Sequence, residues 1–340
     1  MRLKQARKLA AEMIGARTEQ IAFMRNTSDG LSTVANGLTW SPGDNLVTFR
    51  KEFPSNIYPW LRLRNALGVE VRMCEERDGR IDLEELIGLI DSKTRVVAIS
   101  QVQYASGFRA DLERIGQAAR SHDAFLVVDV IQAMGVMPTS VEPELIDVAA
   151  AAADKWLLTP EGVGLLYLSD RARERLEPTL VGWISVPEPE DYGDFEQGWN
   201  RGALAWETGT GPSALIHGLE ASLRLLVETG VGKIANHLEL LTDHLCERLQ
   251  GRNYQIVSSR HPSEKSRSFV SATRVGLAQW PFTLTSRPEI SSPLLVVIGS
   301  ELRPTSTTPL RTSTSSSRHF LEKHGIYRVI IVRCPDNMYG

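Results

Sequence analysis

Two short segments constrain this chain more than any others: Phe125-Leu126-Val127-Val128-Asp129-Val130-Ile131-Gln132-Ala133, and Asp154-Lys155-Trp156-Leu157-Leu158-Thr159-Pro160-Glu161-Gly162-Val163-Gly164-Leu165-Leu166-Tyr167-Leu168. The first is an unbroken apolar run that stops at a carboxylate, the pattern of a strand covered on both faces. The second sets a lone lysine before a glycine-interrupted turn and a further apolar run. Val69 to Cys74, Arg95 to Ser100, Val163 to Leu168 and Asn45 to Phe49 read as additional strands. Between them Leu83 to Ile90, Asp111 to Ser121 and Pro212 to Glu228 carry apolar residues at helical spacing. Alternation of strand and helix predicts an α/β fold, a mostly parallel sheet with helices on both faces, whose sites lie at the carboxyl ends of the strands. Thr27, Gln101, Asp129 and Lys155 are expected at that edge.

The chain has 340 residues, enough for a large domain and a smaller one. The division is placed after Thr229, giving a large domain over 1-229 and a small C-terminal α+β domain over 230-340 that opens with a long helix from Gly230 to Leu249. Net charge is -3 with both signs interspersed, which gives no footprint for nucleic acid or an anionic membrane. No apolar run nears the roughly 20 residues of a membrane span, and the basic N-terminus lacks a signal-peptide core, so the expected location is cytoplasmic and the expected partner a small molecule. Cys74 and Cys246 read as small buried hydrophobes, and with Cys334 they are too scattered for a disulfide framework or a zinc site.

An acid and an amine brought to one sheet edge are what pyridoxal 5'-phosphate requires: a lysine to hold the aldehyde as a Schiff base, and a carboxylate to keep the ring nitrogen protonated. Either residue alone is ambiguous, because strand-end aspartates and solvated lysines are common. A nicotinamide dehydrogenase is disfavoured, since no Gly-x-Gly-x-x-Gly turn follows an early strand.

Asp129 to Gly135 and Asp154 to Gly162 resemble the two central motifs of class V aminotransferases, the group that includes cysteine desulfurases and isopenicillin-N-epimerase-like proteins. Ile21 to Gly30 looks like the family's phosphate-binding turn, Glu52 to Trp60 like its next active-site loop, Gln101 to Arg109 like the loop over the cofactor ring, and Trp206 to Thr210 like the segment that reaches a neighbouring subunit's phosphate. The likeness runs from about Ala6 to about Ser266. It implies a large domain of fold type I and a homodimer with a shared active site, acting on the amino group or Cα of a small amino acid. By the same resemblance Lys155 carries the cofactor and serves as general base, Asp129 pairs with the ring nitrogen, Gln132 bonds the phenolic oxygen, Thr27 and Ser28 hold the phosphate, and Thr210 is donated across the dimer.

The chain departs from that pattern in several places. Gln101 stands where relatives have a ring-stacking histidine or aromatic residue, so Phe53 or Tyr104 is expected to cover the ring. Asp154 replaces the histidine usual before the lysine. Neither Arg328 nor Arg333 sits in the motif of the arginine that clamps the substrate carboxylate, and neither is assigned. The chain begins close to the phosphate turn, without the segment that relatives fold over the substrate entrance. Cys334 lacks the motif of a desulfurase thiol. Leu284 to Arg318 is dense in Ser, Thr, Pro and Arg, a composition that buries too little apolar area to order, and it reads either as a flexible insertion or as a reading-frame error that degrades the small domain. Transamination, epimerisation, elimination and desulfuration all remain open, as does a cofactor-binding protein without catalysis.

Overall fold

The computed structural model describes residues 2–251, 254–267, 269–274, 294–298 and 329–333. Helix α1 (Arg2–Ile14) precedes β1 (Ile21–Met24), and α2 (Thr27–Gly37), β2 (Asn45–Phe49), α3 (Tyr58–Leu67) and β3 (Glu70–Cys74) follow. A small hairpin of β4 (Glu76–Arg77) and β5 (Arg80–Ile81) leads through α4 (Leu83–Gly88) to β6 (Thr94–Ser100). Then come α5 (Leu112–Ser121), β7 (Phe125–Asp129), β8 (Val148–Ala152), β9 (Gly164–Leu168) and α6 (Asp170–Arg175). Seven of these strands form one sheet in the order β1-β9-β8-β7-β6-β2-β3. Pairing is parallel from β8 to β3, whereas β9 runs antiparallel to both β8 and β1.

Side-chain alternation along the strands builds a core on each face. Leu126 and Val128 point into a cluster with Ala6 and Leu9 of α1 and Leu112 and Ile115 of α5, while Phe125 and Val127 join Leu31 and Val34 of α2 and Trp60 and Leu63 of α3. The helices begin where capping side chains stand. Asn26, Asp82, Asp111 and Ser169 each accept an amide of the first turn that follows them.

Two strands of the large sheet escaped the sequence reading. Val148-Ala149-Ala150-Ala151-Ala152 is alanine-rich and a poor strand former by propensity, yet it forms β8 in the middle of the sheet. Small side chains are needed there because α2 passes close: a Cβ on Gly30 would lie 3.1 Å from the Cβ of Ala150. The short β1 lay inside the segment read as a phosphate turn. Helix α2 starts at Thr27, because Asn26 supplies the cap.

Beyond the sheet, α7 (Ser213–Thr229) and α8 (Val231–Gln250) are separated by Gly230, whose φ of +88° ends one helix and starts the next. Strands β10 (Tyr254–Ile256), β11 (Phe269–Arg274), β12 (Leu294–Ile298) and β13 (Val329–Arg333) make a second, antiparallel sheet in that order. β12 corrects the reading of 284–318 as a stretch that cannot order. Leu294-Leu295-Val296-Val297-Ile298 is a five-residue apolar strand whose signal is lost when composition is averaged over its Ser- and Thr-rich surroundings. The rest of that stretch lies outside the described residues, as do His319 to Ile326, Arg328 and Cys334.

Candidate active site

The carboxyl ends of β6, β7 and β8 meet the start of α2 at one edge of the large sheet. Ser100 and Asp129 are register partners at the ends of β6 and β7. The Gln101 amide donates to the Asp129 carbonyl at 3.0 Å, and the buried Gln101 side chain accepts from the Thr139 hydroxyl at 2.9 Å. The Asp129 side chain is 3% exposed, and the Ile131 amide is the hydrogen-bond donor it has among the described residues, at 2.9 Å. Burial pushes this carboxyl up to about 6, against the Ile131 hydrogen bond and the nearby Lys155 ammonium, which both favour the charged form. Gln132 stands half-buried three residues beyond Asp129.

Lys155 follows β8 on a tight turn. The Leu158 amide bonds back to the Lys155 carbonyl at 3.1 Å, Thr159 closes onto the Ala153 carbonyl through both its amide and its hydroxyl, and Leu158 takes a left-handed φ of +59°. Gly135 has φ +101°, and a Cβ there would come within 2.7 Å of the Trp156 carbonyl oxygen. Only glycine therefore lets the loop after Asp129 cross the lysine turn so closely. Val102, Ala133, Val136, Met137 and Trp156 share one small apolar cluster that binds the three loops together.

The Thr27 hydroxyl, buried, accepts the Ala152 amide at 2.9 Å and so ties the start of α2 to the end of β8. Ser28 is exposed and donates to the Ser55 hydroxyl at 2.7 Å. Asn26 takes the Asp29 amide at 2.9 Å, and the remaining first-turn amides of α2 have no intrahelical acceptor.

Glu52 is a site residue whose role the sequence did not reveal. It is 4% exposed, accepts the Ser100 amide at 2.6 Å and hydroxyl at 2.5 Å, and takes the Gln103 amide group at 2.9 Å. Burial, aided by the Asp129 charge, pushes its carboxyl up to about 7. Its partners lie about fifty residues away in the chain, so no local pattern marks it. The next residue, Phe53, is 41% exposed; its ring centroid lies 5.9 Å from the Lys155 ammonium and 5.2 Å from the Tyr104 ring, which meets it edge-on.

Thr210 stands exposed on the segment after Glu207 and makes no hydrogen bond to the other site residues. The segment itself is anchored: the buried Glu207 carboxylate accepts the Phe23 amide at 2.8 Å and forms a two-armed pair with Arg7 of α1. Cys74 and Cys246 are both buried, as expected; burial raises both thiols, Cys74 to about 12. Among the described residues no helix is long and apolar enough to cross a membrane.

Residues 1–279 match the family model of class-V aminotransferases. A probable cysteine desulfurase of Methanothermobacter thermautotrophicus is 33% identical over 245 residues, 72% of this chain and 60% of the relative. One of Pyrococcus abyssi is 30% identical over 249 residues, 72% of this chain and 61% of the relative. The chain thus spans about three fifths of the length of these curated relatives. Among solved structures, the apo form of a cysteine desulfurase from Thermococcus onnurineus superposes with a TM-score of 0.73 at 29% identity, covering 81% of this chain and 68% of that one. A C-DES variant with glycine covalently linked to its pyridoxal phosphate cofactor gives the same TM-score at 23% identity, over 81% and 72% of the two chains, a likeness of fold alone.

Topology and neighbours together define a fold type I protein of the pyridoxal-phosphate-dependent enzymes. Within that class the chain belongs to the class-V aminotransferase family, whose cofactor is pyridoxal phosphate. The residues at the edge fit that group. A buried carboxylate with one amide donor is costly until a cation faces it, and the lysine opposite is the amine that an aldehyde needs.

Proposed function

We propose that the chain holds pyridoxal phosphate at this sheet edge through a covalent bond from Lys155 to the aldehyde carbon, and acts on the amino group or Cα of a small amino acid. The approach of a buried, sparsely bonded Asp129 to Lys155 carries the reading. Asp129 faces the protonated ring nitrogen. When bound, the cofactor supplies an electron sink for charge left at the substrate's Cα. The start of α2 takes the phosphate, with its free amides, its dipole and the Thr27 and Ser28 hydroxyls all favouring an anion. Gln132 donates to the phenolic oxygen, Gln101 lines the site through its bond to the Asp129 carbonyl, and Phe53 covers one face of the ring. The Lys155 amine would hold the proton removed from Cα, a task that needs hydrogen-bond reach to that carbon.

A homodimer belongs to the same reading, with Thr210 of each copy reaching the phosphate of the other. So do the cytoplasmic location and the division into a large domain over 1-229 and a small one over 230-340. Aminotransfer is the leading reaction. Cysteine desulfuration is the second reading, favoured by the names of both curated relatives. It requires a reactive thiolate, and burial of Cys74 and Cys246 leaves that task to Cys334.

Lys155→Ala tests the proposal directly. The purified variant should lose the visible absorbance of the bound cofactor, and turnover should fall at least about a thousandfold. Retention of the band at wild-type intensity would exclude Lys155 as the anchor. Desulfuration is tested with cysteine as substrate: persulfide on the protein that disappears in Cys334→Ser supports it, and amino transfer to a keto acid without sulfide release rejects it.

A further inference from the structure

This chain presents the exposed ring of Phe53 between two buried polar side chains, Glu52 and Asn56. On its N-terminal side Glu52 is locked to the end of β6: one carboxylate oxygen accepts the Ser100 amide and the Gln103 side chain, and the other accepts the Ser100 hydroxyl. On its C-terminal side Asn56, fully buried, accepts the Trp60 indole N–H at 3.1 Å, while its own amide closes a tight turn onto the Phe53 carbonyl at 2.8 Å. Pro54 fixes the first residue of that turn. Backbone freedom at Phe53 is removed from both ends, and its ring projects toward the Lys155 ammonium with Tyr104 edge-on behind it.

We propose that Glu52 is a positioning residue of this site, acting through Phe53: it clamps the loop to β6 so that the ring stands in front of the Lys155 amine and against the face of the bound cofactor. The inference rests on the cofactor reading given above. Ser100 is the strand neighbour of Asp129, so the same clamp that places Phe53 is referenced to the residue facing the ring nitrogen. A carboxylate suits this role because it accepts three hydrogen bonds at once from two directions, which neither a hydroxyl nor an alkyl side chain can do. Gln103 completes the clamp: its Nε2 donates to Glu52 at 2.9 Å and to the Ser100 carbonyl at 3.4 Å, while its Oε1 is buried with no hydrogen-bond partner among the described residues.

The test is a double-mutant cycle on holoenzyme, read by visible circular dichroism of the cofactor and by turnover. Phe53→Leu should lower the dichroic signal and cut kcat by about tenfold or more, with a smaller change in KM, as expected when a ring is no longer held in its reactive orientation. Glu52→Ala should reproduce both changes, Glu52→Gln should restore most of the signal, and Glu52→Ala combined with Phe53→Leu should be no worse than Phe53→Leu alone. Additive losses, or a Glu52→Ala variant with wild-type dichroism, overturn the proposal. Hydrogen exchange on the cofactor-free protein gives a readout independent of activity and of the cofactor. Exchange of the segment spanning 50–57 and of the Ser100 amide should quicken about tenfold or more in Glu52→Ala and much less in Glu52→Gln, and unchanged exchange in Glu52→Ala overturns the clamp. If Lys155→Ala keeps the cofactor band, the cofactor reading fails while the exchange experiment still decides the clamp.

Discussion

Asp147 and Asp129 lie at opposite ends of the paired strands β7 and β8, and the fold surrounds them differently. Asp147, 1% exposed, accepts the Leu126 amide at 3.0 Å, pairs with Arg171 at 2.9 Å and Arg120 at 3.1 Å, and takes the Ser169 hydroxyl at 3.3 Å. Asp129, 3% exposed and three residues along β7 from Leu126, has the Ile131 amide and the coulombic pull of Lys155. One carboxylate is satisfied by its own chain, and the other is left short. A buried acid whose partners are all internal holds a fold together, whereas one left short invites a cation from outside. The amino edge of the sheet is therefore structural, and under the proposed function the carboxyl edge is the receptor.

The largest expected effect of that contrast is at Asp147. Asp147→Ala removes one of the two carboxylates paired with the largely buried Arg171, which keeps Asp123 at 2.7 Å, and leaves the Leu126 amide without its acceptor, and should cost about 3 kcal/mol in denaturant unfolding of the cofactor-free protein. Arg120 is more exposed and adds little. A loss below about 1 kcal/mol would mean that the network is not structural. Asp129→Asn should do the reverse. It removes a costly buried charge, so the cofactor-free protein should be as stable as wild type or slightly more so, while turnover with cofactor falls by about 10²–10³-fold. Near-normal turnover would give the ring nitrogen another partner and end the comparison.

What could be read in the sequence follows from how local each signal is. The strand ending at Asp129 was legible because an unbroken apolar run needs cover on both faces wherever it lies, and Lys155 because its motif is contiguous. β8 was not, since an alanine run has no periodicity and its strand state is imposed by the close passage of α2 and by pairing on both sides. In the sequence Glu52 stands out only as part of a loop. Its burial depends on Ser100 and Gln103, brought near by the β2–β6 pairing, and no window of sequence contains that meeting. The start of α2 was half legible: Thr27 and Ser28 do stand at the head of the helix, but Thr27 spends its acceptor on β8 and the cap falls to Asn26.

The smallest predicted effect sharpens the contrast by pH. Burial pushes the Asp129 carboxyl to about 6 and that of Glu52 to about 7, both above their unfolded values near 4. Between those limits the folded, cofactor-free protein binds more protons than the unfolded chain, so the stability they contribute is complete below about pH 4 and is lost as pH rises through 6 and 7. Asp91, Asp123 and Asp170 are held well below the usual carboxylate range by arginines, above all Arg72, Arg175 and Arg17, and stay ionised throughout this window, adding no slope. Glu144, pushed up to about 7 by burial, contributes to the same slope and serves as an internal background. Unfolding free energy of the cofactor-free protein should therefore fall between pH 5 and 8, with Glu52 responsible for on the order of 3 kcal/mol at most. Glu52→Gln should flatten the curve by that share, and Asp129→Asn should flatten its lower half. Loading the cofactor should flatten it too, because a ring cation beside Asp129 favours the carboxylate. A pH profile that neither substitution nor cofactor alters would show that the carboxyl edge is as well satisfied as the amino edge.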